Sequence, residues 1–158
     1  MRSPPTTLPP VMIQKAPFEV GKVIREVCAQ DPNIGAVASF IGLMRDRNDG
    51  DYVEHMTLEH YPGMTEKAIG EIVDEAKERW KLISVRVIHR VGELEPTDPI
   101  VLVVVASSHR RAAFEACDFI MDYLKTRAPF WKKEITRIGE RWVDSRESDR
   151  KAADRWRK

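Results

Sequence analysis

Positive charge is concentrated in one short stretch of the sequence, close to the end of a predicted helix. Residues 125–133 include no acid and four cations, which are Lys125, Arg127, Lys132 and Lys133. Pro129, Phe130 and Trp131 lie between these cations. A phosphate or carboxylate needs several converging donors, which lysine and arginine supply. The first two cations could equally complete a helix at its negative end, so the spacing leaves both interpretations open.

Two further groups of residues could bind an anion. His109 and Arg110 lie at the predicted N-terminus of the same helix, where free amides and the helix dipole attract anions. A histidine beside an arginine could bind phosphate and carry a proton, but a solvated first turn explains the pair equally well. Arg45 ends a predicted strand just before a turn, a usual place for a functional side chain and also for an ordinary surface arginine.

The remaining reactive side chains do not form a recognisable catalytic motif. His55, His60 and His89 lack the spacing of metal ligands, and His55 and His89 are predicted to lie on sheet faces. Cys117 has apolar neighbours, which favours a buried, inert thiol. The sequence contains no Walker loop, no GxGxxG and no GxSxG. We therefore expect neither a metal site nor a bound nucleotide.

Composition limits the classes of function. The chain has 158 residues, 42% of them hydrophobic and 32% charged, which favours one soluble domain. Its formal net charge of +1 does not predict binding to nucleic acid or to a membrane surface, so any anion site must be local. The two cysteines, Cys28 and Cys117, are far apart, which favours a reducing cytoplasmic location. The longest apolar run is too short to cross a bilayer.

The elements that must position these residues can be read from hydrophobic periodicity. Four prolines in the first ten residues predict an extended or disordered leader over residues 1–15, followed by a single domain over residues 16–158 with a polar C-terminal tail. Trp156, in that tail, is a candidate for contact with a partner protein. A short helix is expected after residue 17, and two long helices later in the chain.

The strands are predicted between the helices. Two of them, on either side of the turn "DRNDGD", are expected to form a hairpin. The run "IVLVVVAS" is apolar throughout, as a central strand covered on both faces would be. Ser107 or Ser108 can cap the second long helix, and Pro129 must end it. The order β-β-α-β-β-α-β-β predicts an α+β fold with a largely antiparallel sheet.

Four stretches, taken together and in this order, are familiar. They are "TLEHYPGMTEKAIGEIV", "VIHRVGELEP", "SSHRRAAFEACDFIMDYLKTRAPFWKKE" and "RWVDSRESD". The chain resembles the large, catalytic subunit of the molybdopterin synthase family over roughly residues 35–156. This resemblance implies an α/β-hammerhead-type fold.

The resemblance also implies a reaction and its partners. The family converts cyclic pyranopterin monophosphate (precursor Z) into molybdopterin by installing two sulfurs as a dithiolene. The sulfur comes from a thiocarboxylate on the C-terminal Gly-Gly of a small ubiquitin-like subunit. The assembly is a heterotetramer with a central homodimer of large subunits. No metal and no cofactor is implied, and neither nucleic acid nor a membrane is expected as a partner.

Site residues follow from the resemblance position by position. Lys125 and Lys132 match the family's catalytic lysines. The implied substrate-binding residues are Leu43, Met44, Arg45, His109, Arg110, Lys133, Glu134 and Arg146. The chain departs from the family pattern beside the site, with Arg47 in place of histidine, Arg111 in place of a small residue, and "EPTDP" where the family often has Trp and Gly.

The length of the second long helix constrains how these residues can meet. His109 and Lys125 are sixteen residues apart, roughly 24 Å along a helix at ~1.5 Å per residue. One small substrate cannot span that distance. We therefore predict a composite site, in which His109 and Arg110 of one subunit meet Lys125 of the other.

The residues themselves leave two other functions open. The cations and rings of "KTRAPFWKK" could bind single-stranded nucleic acid, although the near-neutral total charge argues against it. A phosphate-ester enzyme without a protein partner is the other alternative. The lack of a metal-ligand cluster argues against that one.

Overall fold

The computed structural model describes residues 9–143 and 147–157, with four helices and nine strands in these ranges. The helices are α1 (Val20–Cys28), α2 (Met64–Arg79), α3 (Arg110–Arg127) and α4 (Glu147–Asp154). The strands are β1 (Val11–Gln14), β2 (Ala36–Leu43), β3 (Arg47–Asn48), β4 (Asp51–His60), β5 (Ser84–Arg90), β6 (Gly92–Leu94), β7 (Pro99–Ser107), β8 (Phe130–Thr136) and β9 (Gly139–Val143).

The first sheet has the strand order β1-β5-β7-β2, and only β1 runs parallel to its neighbour. Alternate residues of β7, such as Val103 and Val104, pack into two different cores. One core lies against α2 and α3 and includes Ile72 and Phe119, and the other lies against α1 and includes Val27. The prediction of a central strand covered on both faces is therefore confirmed.

The second sheet has the order β3-β4-β8-β9, with β6 also paired to β4, and all of its pairs are antiparallel. A third core lies on this sheet and includes Met44, Met56, Leu58 and Leu94. Both sheets together give the predicted α+β fold with largely antiparallel strands and two long helices.

The expected hairpin between the two strands around "DRNDGD" is wrong. β2 pairs with β7 and β4 pairs with β8, so these two strands belong to different sheets. The turn residues instead form a smaller hairpin between β3 and β4, with Asn48 opposite Asp51. Asp49 and Gly50 both have positive φ, 52° and 83°, which is the geometry that a tight hairpin turn requires.

The ends of the elements differ from expectation in two places. Residues 11–14, expected in the leader, form β1 on the edge of the first sheet, and residues 1–8 lie outside the described part. His109, and not Ser107 or Ser108, occupies the N-cap position of α3. The serine hydroxyls are used elsewhere: Ser107 donates to Lys81 O, and Ser108 accepts from Asn33.

The C-terminal tail is docked onto α3. The ring of Trp156 lies edge-on to Trp80 and Phe119, with centroids 5.7 and 5.6 Å away. Its Nε1 donates to Asp122 Oδ2 at 2.6 Å. Trp156 therefore contacts its own subunit and remains partly exposed, and its contact with a partner protein stays a prediction.

Candidate active site

A cavity of about 540 Å³ lies between the two sheets. The first sheet and α3 contribute residues 40–43, His89, Met121 and Lys125 to its walls, and the second sheet contributes Phe130, Lys132 and Glu134 among others. Among the described residues, four cations line it, Arg45, Arg47, Lys125 and Lys132, against the two acids Glu134 and Asp149. Such a lining favours an anionic ligand with an apolar part.

The structure separates the four cations of residues 125–133 into two pairs. Lys125 and Lys132 line the cavity. Arg127 instead donates to Glu75 at 2.6 Å and lies over the ring of Tyr123. Lys125 and Arg127 both lie in the last turn of α3, as the helix-end interpretation expects, and an anion site at Lys125 and Lys132 stays a prediction.

Strand alternation places Lys132 and Lys133 on opposite faces of β8. Phe130, Lys132 and Glu134 face the cavity, whereas Trp131 and Lys133 are not among its lining residues. Lys133 Nζ lies 3.4 Å from Glu140 and 5.5 Å from the centroid of the Trp142 ring. Lys133 was expected to bind substrate, and the structure does not bring it into the cavity.

Pro129 makes the approach of the two cavity lysines possible. Ala128 has extended φ and ψ angles of −85° and 127°, so α3 ends there, as predicted, and β8 starts two residues later. Lys125 is exposed on the last turn of α3, and Lys132 is half-buried opposite Leu58 of β4. The two rings that follow the proline point to different faces, so they do not form one stacking platform for nucleic acid.

The segment that carries Arg45 is fixed by its backbone. Met44 N donates to Asp98 O at 2.9 Å, and Met44 O accepts from Thr97 N at 2.8 Å. The side chain of Met44 is buried, while Leu43 and Arg45 are exposed, and all three line the cavity. The structure therefore brings these three predicted residues together with the two lysines.

His89 was not predicted as a site residue, yet it lines the cavity. Its ring stacks on Phe130, and Nδ1 lies 2.8 Å from Arg90 O, so Nδ1 carries the proton that it donates. Burial, followed by the charges of Lys125 and His60, lowers the pKa of His89 to about 4. The alternation of the strand puts His89 on the same face as Val85 and Val87, which the structure packs in the core against α3. That alternation is the signal that could have identified it.

Glu134 is the buried acid of the cavity, with 3% of its surface exposed. Both carboxylate oxygens accept from Asn48 Nδ2, at 3.1 and 3.0 Å, and Oε1 also accepts from Arg141 Nε at 3.1 Å. The carboxylate is thus hydrogen-bonded within the protein. Asn48 and Arg141 were not predicted, because they are 86 and 7 residues away in sequence.

Two other predicted residues, His109 and Arg110, lie outside the cavity. His109 and Arg110 are exposed at the opposite end of α3 and are not among the lining residues. Arg146 lies outside the described residues. Burial and the charge of Asp118 raise the pKa of the Cys117 thiol to about 12, so this buried cysteine is not a nucleophile, as expected.

Neither a metal site nor a membrane-spanning helix is found among the residues that the structure describes. Across residues 9–143 and 147–157, His, Cys, Asp and Glu side chains form no group of three that could hold a metal ion. Among the helices in those ranges, none combines the length and the apolar character needed to cross a bilayer.

Comparison with known proteins points to one family. The family model described as MoaE protein matches residues 13–127. The chain is 60% identical over 149 residues to the molybdopterin synthase catalytic subunit of Ralstonia nicotianae, covering 94% of this chain and 85% of that one. It is 58% identical to the subunit of the same name from Escherichia coli, covering 92% and 97%. The solved molybdopterin biosynthesis MoaE protein of Burkholderia ambifaria superposes with a TM-score of 0.81 at 50% identity, covering 94% and 98%.

Proposed function

Because the chain belongs to the MoaE protein family, we propose that it works as the catalytic subunit of a molybdopterin synthase. The reaction is sulfur transfer from the C-terminal thiocarboxylate of a small ubiquitin-like subunit to cyclic pyranopterin monophosphate, which forms the dithiolene of molybdopterin. The unpaired cysteines Cys28 and Cys117 suit a reducing cytoplasm, where we place the enzyme.

The observation that carries this proposal is the placing of Lys125 and Lys132 in one cavity whose other walls are partly apolar. The substrate combines a phosphate with a fused ring, and the sulfur donor is a second anion. Cations lower the repulsion between two anions that must meet, and a fixed pocket orients them. Phe130 and Met121, which also line the cavity, can flank the ring.

The proposed roles follow from position. Lys125 is the main catalytic group, acting in proton transfer or stabilising developing negative charge, and Lys132 assists it. Arg45, on the loop after β2, holds the substrate together with Leu43 and Met44. No metal or nucleotide is needed, because the sulfur arrives already activated.

His109 and Arg110 belong to the site only if a second subunit supplies them. They lie at the N-terminal end of the eighteen-residue helix α3, and Lys125 lies in its last turn. At ~1.5 Å per residue this separation is roughly 24 Å, too far for one small substrate. We therefore propose a two-fold dimer in which the start of α3 of one subunit approaches the cavity of the other, and a small subunit that docks at each end.

Reconstitution tests the proposed function directly. The purified chain is mixed with a thiocarboxylated small subunit and precursor Z, and dithiolene formation is measured. We expect turnover by the unsubstituted chain and a loss of ~100-fold or more in Lys125→Ala, since removal of one charge-stabilising group typically costs that much. Near-normal turnover of Lys125→Ala would assign the chemistry to another group, and no turnover by the unsubstituted chain would refute the function.

A further inference from the structure

The buried carboxylate in the cavity depends on one arginine that does not itself line the cavity. Arg141, on β9, donates through Nε to Glu134 Oε1 at 3.1 Å. Glu134 lies two residues after Lys132 on the same face of β8. A buried carboxylate left without its cation remains a negative charge in a medium that screens it poorly.

The same guanidinium also joins the walls of the cavity. Nη1 donates to Asp51 Oδ2 at 2.7 Å, and Nη2 donates to Asn48 O at 2.9 Å. Asn48 in turn donates to both oxygens of Glu134. Arg141 therefore ties the β3–β4 hairpin, which follows Arg45 in the chain, to the strand that carries Lys132.

We propose that Arg141 is a positioning residue of the synthase reaction: it neutralises Glu134 and so prevents this carboxylate from acting as a negative charge inside the anion-binding cavity. The inference rests on the proposed function, since it assumes anionic substrates. Arg141 does not line the cavity, and it acts through Glu134. Without it, Glu134 repels the phosphate and attracts the cations that should bind it.

The test uses two substitutions that should change the KM for precursor Z in opposite directions. In the reconstituted synthase, Arg141→Met removes the charge and we expect the KM for precursor Z to rise about tenfold or more, with a smaller fall in kcat. Adding Glu134→Gln to Arg141→Met removes the uncompensated charge, so the KM of the double variant should fall below that of Arg141→Met. Glu134→Gln alone serves as the reference for any direct role of this carboxylate.

Two controls separate this role from a structural one. Arg127→Met breaks the ion pair with Glu75 outside the cavity and should leave the KM unchanged. Arg141→Lys keeps the charge but loses the fork that joins Asp51 and Asn48, and its KM should stay closer to that of the unsubstituted enzyme. If Arg141→Met does not fold in thermal melting, Arg141→Lys with and without Glu134→Gln decides instead. The KM should then be lower in the double variant than in Arg141→Lys, because Glu134→Gln removes the negative charge that the single-donor contact of a lysine neutralises less completely. An equal or higher KM in the double variant would overturn the inference.

The outcomes distinguish this inference from the proposed function. The inference would be overturned if folded Arg141→Met had an unchanged KM for precursor Z. It would also be overturned if the KM of the double variant with Glu134→Gln were not lower than that of Arg141→Met. In either case, normal turnover of the unsubstituted enzyme would still support the proposed function. If the unsubstituted enzyme forms no dithiolene at all, the function fails and the inference fails with it.

Discussion

His89 and Phe130 stack with their ring centroids 4.0 Å apart and their planes 19° from parallel. The buried imidazole is held neutral, because burial first, and then the charges of Lys125 and His60, lower its pKa from 6.5 to about 4. A histidine with a lowered folded-state pKa binds fewer protons in the native than in the unfolded chain. Its contribution to stability is therefore present above pH 6.5 and is lost as the pH falls toward 4.

This relationship predicts an acid-sensitive stability that one substitution removes. Between pH 8 and pH 5, we expect His89 alone to lower the free energy of unfolding by about 2 kcal/mol. Urea unfolding of the unsubstituted chain and of His89→Gln at both pH values measures it. The variant should lose correspondingly less stability on acidification, and equal losses in the two proteins would contradict the buried neutral imidazole.

Neighbouring lysines on β8 should behave differently. Lys132→Ala removes a cation from the cavity, and we expect it to lower kcat/KM about tenfold or more in the reconstituted reaction. Lys133→Ala removes a surface pair with Glu140 on the other face and should change kcat/KM by less than about threefold. A larger effect from Lys133→Ala than from Lys132→Ala would contradict this assignment and indicate that Lys133, not Lys132, faces the cavity.

The composite site predicts complementation between inactive subunits. His109→Ala and Lys125→Ala proteins are each expected to be inactive as homodimers. After random subunit exchange, half of the dimers are mixed, and each mixed dimer has one intact site, so about a quarter of the normal activity should return. Exchange is verified with differently tagged chains, and no recovery after verified exchange would place the whole site within one subunit.

The two cysteines should differ in reactivity. Cys28 is exposed, whereas Cys117 is buried with a thiol pKa raised to about 12. At pH 8, iodoacetamide should modify Cys28 in the folded protein and reach Cys117 only after denaturation. Mass spectrometry of tryptic peptides measures both sites, and Cys28→Ser should leave the folded chain unlabelled. Early labelling of Cys117 would show that the α3 core opens locally.

Gly35 should tolerate no side chain. A Cβ at this position would lie 2.2 Å from the Ser108 carbonyl oxygen, and Gly35 N donates to Ser107 O at 3.0 Å. Gly35→Ala should therefore destabilise the fold by about 1–3 kcal/mol through overpacking. At Gly70, on α2, an added Cβ would meet nothing within 4 Å, so Gly70→Ala should stabilise the fold by about 0.5–1 kcal/mol. Thermal melting of the two variants gives the comparison, and equal effects would contradict the close approach at Gly35.

Local sequence patterns predicted the helices and strands better than they predicted which strands pair with each other. The stop at Pro129 and the apolar strand β7 follow from single-residue chemistry and periodicity, and both are confirmed. The pairing of β2 with β7 was missed. A turn between two strands favours a hairpin, but here the strands on either side of the turn belong to different sheets. Tertiary packing, which the local sequence does not encode, decided the outcome.

The site was predicted where its residues are close in sequence or share a motif. Lys125 and Lys132 were singled out by charge spacing, and the resemblance gave them roles. The partners of Glu134 were not, since Asn48 is 86 residues away and its approach depends on how β3 and β8 pair with β4, the strand between them. Alternation along β8 could have separated Lys132 from Lys133 in advance, because successive side chains of a strand face opposite sides.

The cavity lies on the seam between two sheets, with Lys125 on a helix packed against the first and Lys132 on a strand of the second. The turn at Pro129 connects the two lysines, and the packing of the first sheet's layer against the second orients α3 relative to β8. Mild denaturant that loosens this packing should therefore abolish turnover while circular dichroism still reports intact strands and helices. We therefore expect turnover to be lost at a lower denaturant concentration than the secondary structure.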